Sequence, residues 1–254
     1  MTDQRVAVVT GASSGIGAAI ARELSRRGWR CILLARREDR LREVAQETGS
    51  EWEVCDVAER GDVERSAAAV SERHRRIALL VNNAGIAGRH DFLHADPDRI
   101  EQVARVNYLG GVWCLRAFLP ALEAAKPSDV VNVVSVAGTV SFPPSGPYSA
   151  SKHAQLAFSR ATAAQLRRRG VRVHAVLPGF VETEGFPQRG ILPPLLARTV
   201  IEPEDVARTV ARVIGSGRTE VYGPRWYRLV ALAQGVAPNI TARVLARGNY
   251  RPAA

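Results

Sequence analysis

The feature that most constrains this chain is an alternation. Short β-branched or Leu-rich runs recur near residues 5–10, 30–35, 51–55, 77–82, 129–135, 171–177 and 219–222, with longer amphipathic stretches between most of them. Runs of that length bounded by turn residues read as strands, and a 3.6-residue apolar period between them reads as helix. Ile77-Ala-Leu-Leu-Val81 and Val130-Val-Asn-Val-Val134 are almost wholly apolar, which suits a parallel sheet buried on both faces by right-handed helical crossovers. The expected fold is therefore α/β: three layers, doubly wound, around a seven-stranded parallel sheet. Ligands of such sheets sit beyond the carboxyl ends of the strands, at the point where strand order reverses. Residues just after strands are thus where chemistry is expected.

At 254 residues, with 46% apolar and 24% charged side chains, the sequence fits one soluble domain over residues 1–254 without a linker. Met1 to Arg5 lead straight into Val6-Ala7-Val8-Val9 rather than into a basic and then apolar leader. Cys31, Cys55 and Cys114 lie in apolar runs without CxxC spacing and read as reduced core thiols. A cytoplasmic protein is expected. The net charge of +10 and pI near 10.5 raise the question of nucleic acid. The arginines, however, are scattered over the ends and outer faces of helical stretches, with no basic run interleaved with aromatics. A solvated, arginine-rich surface follows, and no nucleic-acid partner is expected.

The first strand runs into Thr10-Gly11-Ala12-Ser13-Ser14-Gly15-Ile16-Gly17. Glycines at 11, 15 and 17 allow a sharp turn, a close approach to a pyrophosphate and tight helix packing, while the helix that follows offers unpaired N–H groups and the positive end of its dipole. A ligand-free strand-to-helix turn is the plain alternative. The second strand ends in Leu34-Ala35-Arg36-Arg37, where a carboxylate would favour the free ribose 2′-hydroxyl of NAD. Arginine there favours a 2′-phosphate, which a guanidinium can hold bidentately. Arg36 is the first candidate, with Arg37 and Ser14 assisting; a surface-loop role for Arg37 stays open.

Further along stand Asn82-Asn83-Ala84-Gly85, Asn107, Ser135, Tyr148-Ser-Ala-Ser-Lys152 and Pro178-Gly179. Together with the glycine-rich turn, in this order and at these spacings, they make the chain resemble the short-chain dehydrogenase/reductase superfamily, from the first strand to about residue 223. The resemblance implies a Rossmann-type domain, NADP(H) as cofactor given the arginine after the second strand, and a catalytic set on Asn107, Ser135, Tyr148 and Lys152. It also implies cofactor contacts from Gly11, Ser13, Ser14, Gly15, Ile16, Gly17, Arg36 and Arg37, from Asp56 and Val57 at the adenine, and from Asn83, Ala84 and Gly85. Tyr148, Lys152, Pro178, Gly179, Val181 and Thr183 fall at the nicotinamide end. A homodimer or homotetramer is expected on the same ground. The histidines at 74, 90, 94, 153 and 174 form no ligand-like cluster, and no metal is expected.

The residues support that chemistry independently. Tyr148 and Lys152 are four apart, so on a helix they share one face. A phenol titrates near ~10, and a neighbouring ammonium should lower that by favouring phenolate. Tyr148 could then protonate a nascent alkoxide, or deprotonate an alcohol in the reverse direction. Only two of the 35 basic residues are lysines, Lys126 and Lys152, so a lysine at this position runs against the composition. Ser135 reads as the end of the fifth strand, where its hydroxyl could polarise a carbonyl. Asn107, without the resemblance, would read as a helix cap.

Residues 184–200 contain Phe186, Ile191, Leu192, Leu195 and Leu196 among Gly and Pro, as expected of a substrate lid for an apolar ligand or of a loop packing on its own core. Phe142-Pro143-Pro144 adds an apolar wall. Residues 224–254 form an extension with Trp226-Tyr227, an apolar run from Leu229 to Ala233, a break at Pro238, and arginines at 225, 228, 243, 247 and 251. Its roles stay open between a lid, a dimer arm and a helix making peripheral contact with a membrane surface; its apolar run is far too short to span one. The expected activity is NADPH-dependent hydride transfer to or from a small, apolar carbonyl or alcohol substrate, against the alternative of a non-catalytic NADP(H)-binding redox sensor.

Overall fold

The computed structural model describes residues 5–87, 91–189, 192 and 194–246. Its elements alternate as β1 (Val6–Thr10), α1 (Gly15–Arg26), β2 (Arg30–Ala35), α2 (Glu38–Thr48), β3 (Glu51–Val54), α3 (Arg60–Arg73), β4 (Leu79–Asn82), α4 (Pro97–Ala104), α5 (Gly110–Ala124), β5 (Ser128–Val133), α6 (Gly146–Leu166), β6 (Val171–Pro178), α7 (Pro194–Ala197), α8 (Pro203–Val213), β7 (Glu220–Gly223), α9 (Tyr227–Val236) and α10 (Pro238–Ala246). The strands make one all-parallel sheet in the order β3-β2-β1-β4-β5-β6-β7. Strand order reverses between β1 and β4, so the crevice beyond Thr10 and Asn82 is the switch point of the sheet.

All seven expected strands are present, β2 with the expected ends and the other six with ends shifted by one or two residues. β4 begins at Leu79 because Ile77 already spends its N–H on the carbonyl of Ala121, at the end of α5. β5 ends at Val133, so Ser135 is not a strand residue. It caps a 3₁₀ turn over Val136–Gly138, its hydroxyl accepting from the Ala137 N–H at 3.1 Å.

The two sheet faces carry separate cores. One is sealed by α1, α2 and α8 through Ile20, Leu24, Leu41, Val206 and Val210. The other is sealed by α3, α5 and α6 through Val63, Val70, Phe118, Leu122 and Leu166. Each fully buried aliphatic or aromatic side chain contributes about 1.5–3 kcal/mol, which is why central strands tolerate so few polar residues. Local signals set the helix starts. Glu202 and Asp205 form a capping box with Pro203 as the first residue of α8, and Asp96 accepts the Asp98 N–H at 3.0 Å with Pro97 opening α4.

Candidate active site

The site is built on the carboxyl ends of β1, β4, β5 and β6. Thr10, the last residue of β1, accepts the N–H groups of Asn83 and Ala84 on its hydroxyl, both at 3.0 Å, and donates to the Val81 carbonyl at 3.3 Å. Asn83 returns a bond from Nδ2 to the Thr10 carbonyl at 3.0 Å. These bonds hold the edges of the switch-point crevice together. Thr10 was not among the expected site residues, since a strand-end threonine carries no local signal for this long-range pairing.

Above that crevice the glycine-rich turn enters α1. A β-carbon on Gly17 would lie 2.2 Å from the Gly11 carbonyl oxygen, so the turn can be this tight only with glycine there. The first N–H groups of α1 have no carbonyl partner within the helix, which leaves them for an anion. Arg37 closes over the turn: its guanidinium donates to Ser14 Oγ at 2.5 Å and to Ser13 Oγ at 3.3 and 3.4 Å. Arg36 points instead to Asp56, at 3.5 Å. The structure thus sets Arg37, expected as the assistant, against the two serines, and Arg36 on the β3 side. Val57 is buried and packs on Gly110, and Thr183 lies over Gly15. The Gly179 N–H donates to the Gly223 carbonyl, and Val181 bridges to Ile201.

The second cluster lies on α6. Pro147 in its first turn and the short 3₁₀ turn Pro143–Ser145 before it start the helix just ahead of Tyr148, and the helical period then places Lys152 one turn on. Ser135 lies close enough to the Tyr148 hydroxyl to favour its ionised form. Desolvation pushes the phenol above its ordinary range, and the nearby Ser135 hydroxyl offsets this only in part. The expected depression by a neighbouring ammonium is not seen. Burial pushes the Lys152 amine down to about 7, its Nζ lies 5.8 Å from the Tyr148 ring centroid, and it donates to Gln155 Oε1 at 2.8 Å and to the Val133 carbonyl at 3.1 Å. Gln155 is a buried partner that sequence alone did not single out.

Asn107 is not a helix cap. It lies in a π-helical turn, Arg105–Leu109, between α4 and α5, a distortion that recurs at functional sites. Its Oδ1 accepts the Ile86 N–H at 2.8 Å, while Nδ2 donates to the Ile86 carbonyl at 3.1 Å and to Ser151 Oγ at 3.0 Å. Ser151 in turn donates to the Tyr148 carbonyl at 2.7 Å. A β-carbon on Gly85 would sit 3.3 Å from Asn107 Oδ1 and 3.7 Å from Lys152 Nζ, so the Asn-Ala-Gly segment, Asn107 and Lys152 meet in one place.

The Phe186 and Tyr148 rings are 6.2 Å apart. The loop carrying Phe186 is tied by Glu182, whose carboxylate accepts the N–H groups of Gln188 and Arg189 at 3.0 and 2.8 Å. Ile191 lies outside the described residues. Phe92 covers Gly146 at the start of α6, a contact that the sequence did not announce. Tyr227 lies against Gly179, bringing α9 to the same edge. Among the described residues no three His, Cys, Asp or Glu side chains converge as a metal set.

Comparison with known proteins agrees with this geometry. Residues 5–190 match the pattern of the short chain dehydrogenase family. The chain is 42% identical over 186 residues to a galactitol 2-dehydrogenase (L-tagatose-forming) of Cereibacter sphaeroides, covering 72% of this chain and 73% of that protein. It is 38% identical over 191 residues to a 2-(R)-hydroxypropyl-CoM dehydrogenase of Xanthobacter autotrophicus, covering 70% and 75%. A short chain dehydrogenase from Burkholderia cenocepacia, solved in complex with NADP, superposes with a TM-score of 0.84 at 30% identity over 96% of this chain and 98% of that one. An actinorhodin polyketide ketoreductase solved with NADPH gives 0.78 at 32% identity, over 87% and 96%. With its parallel seven-stranded sheet, its glycine-rich turn and its Ser-Tyr-Lys cluster, the chain belongs to the short chain dehydrogenase family of oxidoreductases.

Proposed function

We propose that this protein is an NADPH-dependent reductase of ketones or aldehydes, acting on a small, largely apolar substrate, with the reverse alcohol oxidation available. The observation that carries the reading is Tyr148 one helical turn from a buried Lys152, whose Nζ lies 5.8 Å from the Tyr148 ring, at the carboxyl edge of the sheet beside Ser135. The residues fit the cofactor. The turn Gly11, Ser13, Ser14, Gly15, Ile16, Gly17 offers helix N–H groups to a pyrophosphate, and the Arg37–Ser13–Ser14 cluster with Arg36 nearby offers a donor set for a 2′-phosphate. Asp56 and Val57 would flank the adenine, Asn83, Ala84 and Gly85 the adenosine ribose, and Pro178, Gly179, Val181 and Thr183 the nicotinamide, with Lys152 reaching the ribose beside it. Two solved relatives hold NADP or NADPH, which supports this choice.

When bound, NADPH supplies the hydride. This chain's own residues handle the oxygen. Ser135 Oγ holds the substrate carbonyl oxygen beside Tyr148, and Tyr148 Oη delivers the proton that the developing alkoxide takes up. The raised phenol remains protonated at neutral pH, the form a reductase needs before each turnover. Lys152 and Asn107 stand behind Tyr148 to replace that proton from solvent. Phe186, Phe142 and Phe92 give the substrate apolar walls.

The test is a panel of ketones and aldehydes with NADPH, read as loss of the reduced nicotinamide absorbance, alongside equilibrium binding of NADPH. Turnover of an apolar ketone with NADPH, and weaker use of NADH, is expected. Tight NADPH binding with no turnover of any panel member would count against catalysis and for a sensor.

A further inference from the structure

Helices α9 and α10 turn an apolar face to solvent. On α9, Leu229, Leu232 and Val236, spaced i, i+3 and i+7, are 68, 60 and 75% exposed; on α10, Ile240 and Val244, spaced i and i+4, are each 61% exposed. Trp226, just before α9, is 42% exposed and stacks on Tyr227. Of the ten exposed large hydrophobic residues among those described, these six fall within nineteen residues of chain. The opposite side of α9 is anchored: Tyr227 is 5% exposed and packed on Gly179. The stripe is therefore presented outwards by a seated helix, and burial of so much apolar side chain in a partner would be strongly favourable.

Charge selects the partner. After Glu220 the sequence has no Asp or Glu, and it carries arginines at 225, 228, 243, 247 and 251; Arg225, Arg228 and Arg243 are exposed in the structure. Arg228 and Arg243 sit one residue from Leu229 and Val244, at the flanks of the two apolar stripes. A second copy seated on this face would set one set of arginines against another. A surface that is apolar below and anionic above satisfies both features, because arginine stems lie along apolar surface while their heads remain at headgroup depth. No described helix is long and apolar enough to cross a membrane, so the contact is peripheral.

We propose that the α9–α10 face docks this protein on an anionic lipid bilayer, with Leu229, Leu232, Val236, Ile240 and Val244 entering the acyl boundary and the arginines meeting the lipid phosphates. The docked face adjoins the edge of the active site through Tyr227. The proposal stands apart from the assignment of cofactor and substrate and is tested without turnover.

The full chain is sedimented with mixed phosphatidylglycerol–phosphatidylcholine vesicles and with pure phosphatidylcholine vesicles. Binding to the mixed vesicles is expected to be at least about tenfold tighter and to weaken as salt rises. Arg228→Gln and Arg243→Gln should each lower it about fivefold, and Leu232→Asp with Ile240→Asp should abolish it while NADPH binding is kept. Tryptophan emission should shift to the blue on the mixed vesicles, and Trp226→Phe should remove the shift. Should the aspartate pair fail to fold, the arginine variants decide alone. Equal binding to both vesicles, no binding to either, or a larger species in solution that the aspartate pair dissociates would overturn the proposal; the last result would mark the face as a junction between copies.

Discussion

Ser13, Ser14 and Arg37 make the sharpest residue-level claim about cofactor choice. The sequence offered two arginines after β2, and side-chain placement separates them: Arg37 spans both serines, whereas Arg36 is drawn to Asp56. Hydrogen bonds to a charged group contribute about 1.5–3 kcal/mol, so Arg37→Ala should raise the KM for NADPH by roughly ten- to a hundredfold and leave that for NADH nearly unchanged. Arg36→Asp should do the same more weakly; equal losses with both cofactors would remove the 2′-phosphate role. Lys152 carries a second prediction. Burial holds its amine at about 7, below the ~10.4 of an exposed lysine, so the unfolded chain binds more protons between those values and stability gains from Lys152 as pH rises through that window. Urea melts of wild type and Lys152→Met should show the wild type gaining relative to the variant from about pH 7 to 10; parallel curves would contradict the burial. The pairing of Tyr148 with Lys152 was legible because a spacing of four puts both on one face of α6, whereas the strand end expected at Ser135 is a cap of the 3₁₀ turn beyond β5. Asn107 was reached only through the family resemblance and Gln155 not at all, because their partners, Ile86 and the Lys152 amine, are set by tertiary packing rather than by sequence neighbours.

At the scale of elements, the far end of the sheet is clamped by a buried ionic group. Asp129 of β5 accepts both guanidinium nitrogens of Arg172 on β6 at 2.8 Å, His174 Nε2 at 2.8 Å, and the Gly215 N–H at 3.1 Å. His174 Nδ1 faces the Arg218 carbonyl, so both ring nitrogens lie against acceptors. Burial pushes the Asp129 carboxyl up, but the bonds from His174, Arg172 and Gly215 outweigh it and hold it below the usual carboxylate range. Its contribution is therefore complete above the unfolded value near ~3.9 and is lost as pH falls below that. Asp129→Asn should cost about 3–5 kcal/mol in chemical denaturation at pH 7 and flatten the acid limb of the stability curve; a loss under about 1 kcal/mol would mean the clamp is solvated. The strands themselves were readable because both sheet faces are buried, which strips polar residues from the central runs. Their ends were not: the departures at Ile77 and Ser135 come from hydrogen bonds to α5 and to a 3₁₀ turn, which leave no mark on apolar periodicity.

For the whole molecule, the net charge of +10 finds its use in association rather than in fold. A positive field should speed the arrival of an anionic dinucleotide, so the NADPH association rate should fall several-fold between about 20 and 200 mM salt while the dissociation rate changes less; a salt-independent association rate would rule out steering. Amphipathic periodicity made the tail's helical pattern visible in the sequence, but its seating through Tyr227 on Gly179 required the fold. The central claim is that Tyr148 Oη is the proton donor in a carbonyl reduction that uses NADPH. Its most direct measurement is kcat for the best ketone of the panel in Tyr148→Phe, with NADPH affinity followed in parallel. A fall of about 10²–10⁴-fold in kcat with NADPH affinity intact is the predicted result, whereas turnover within a few-fold of wild type would contradict it.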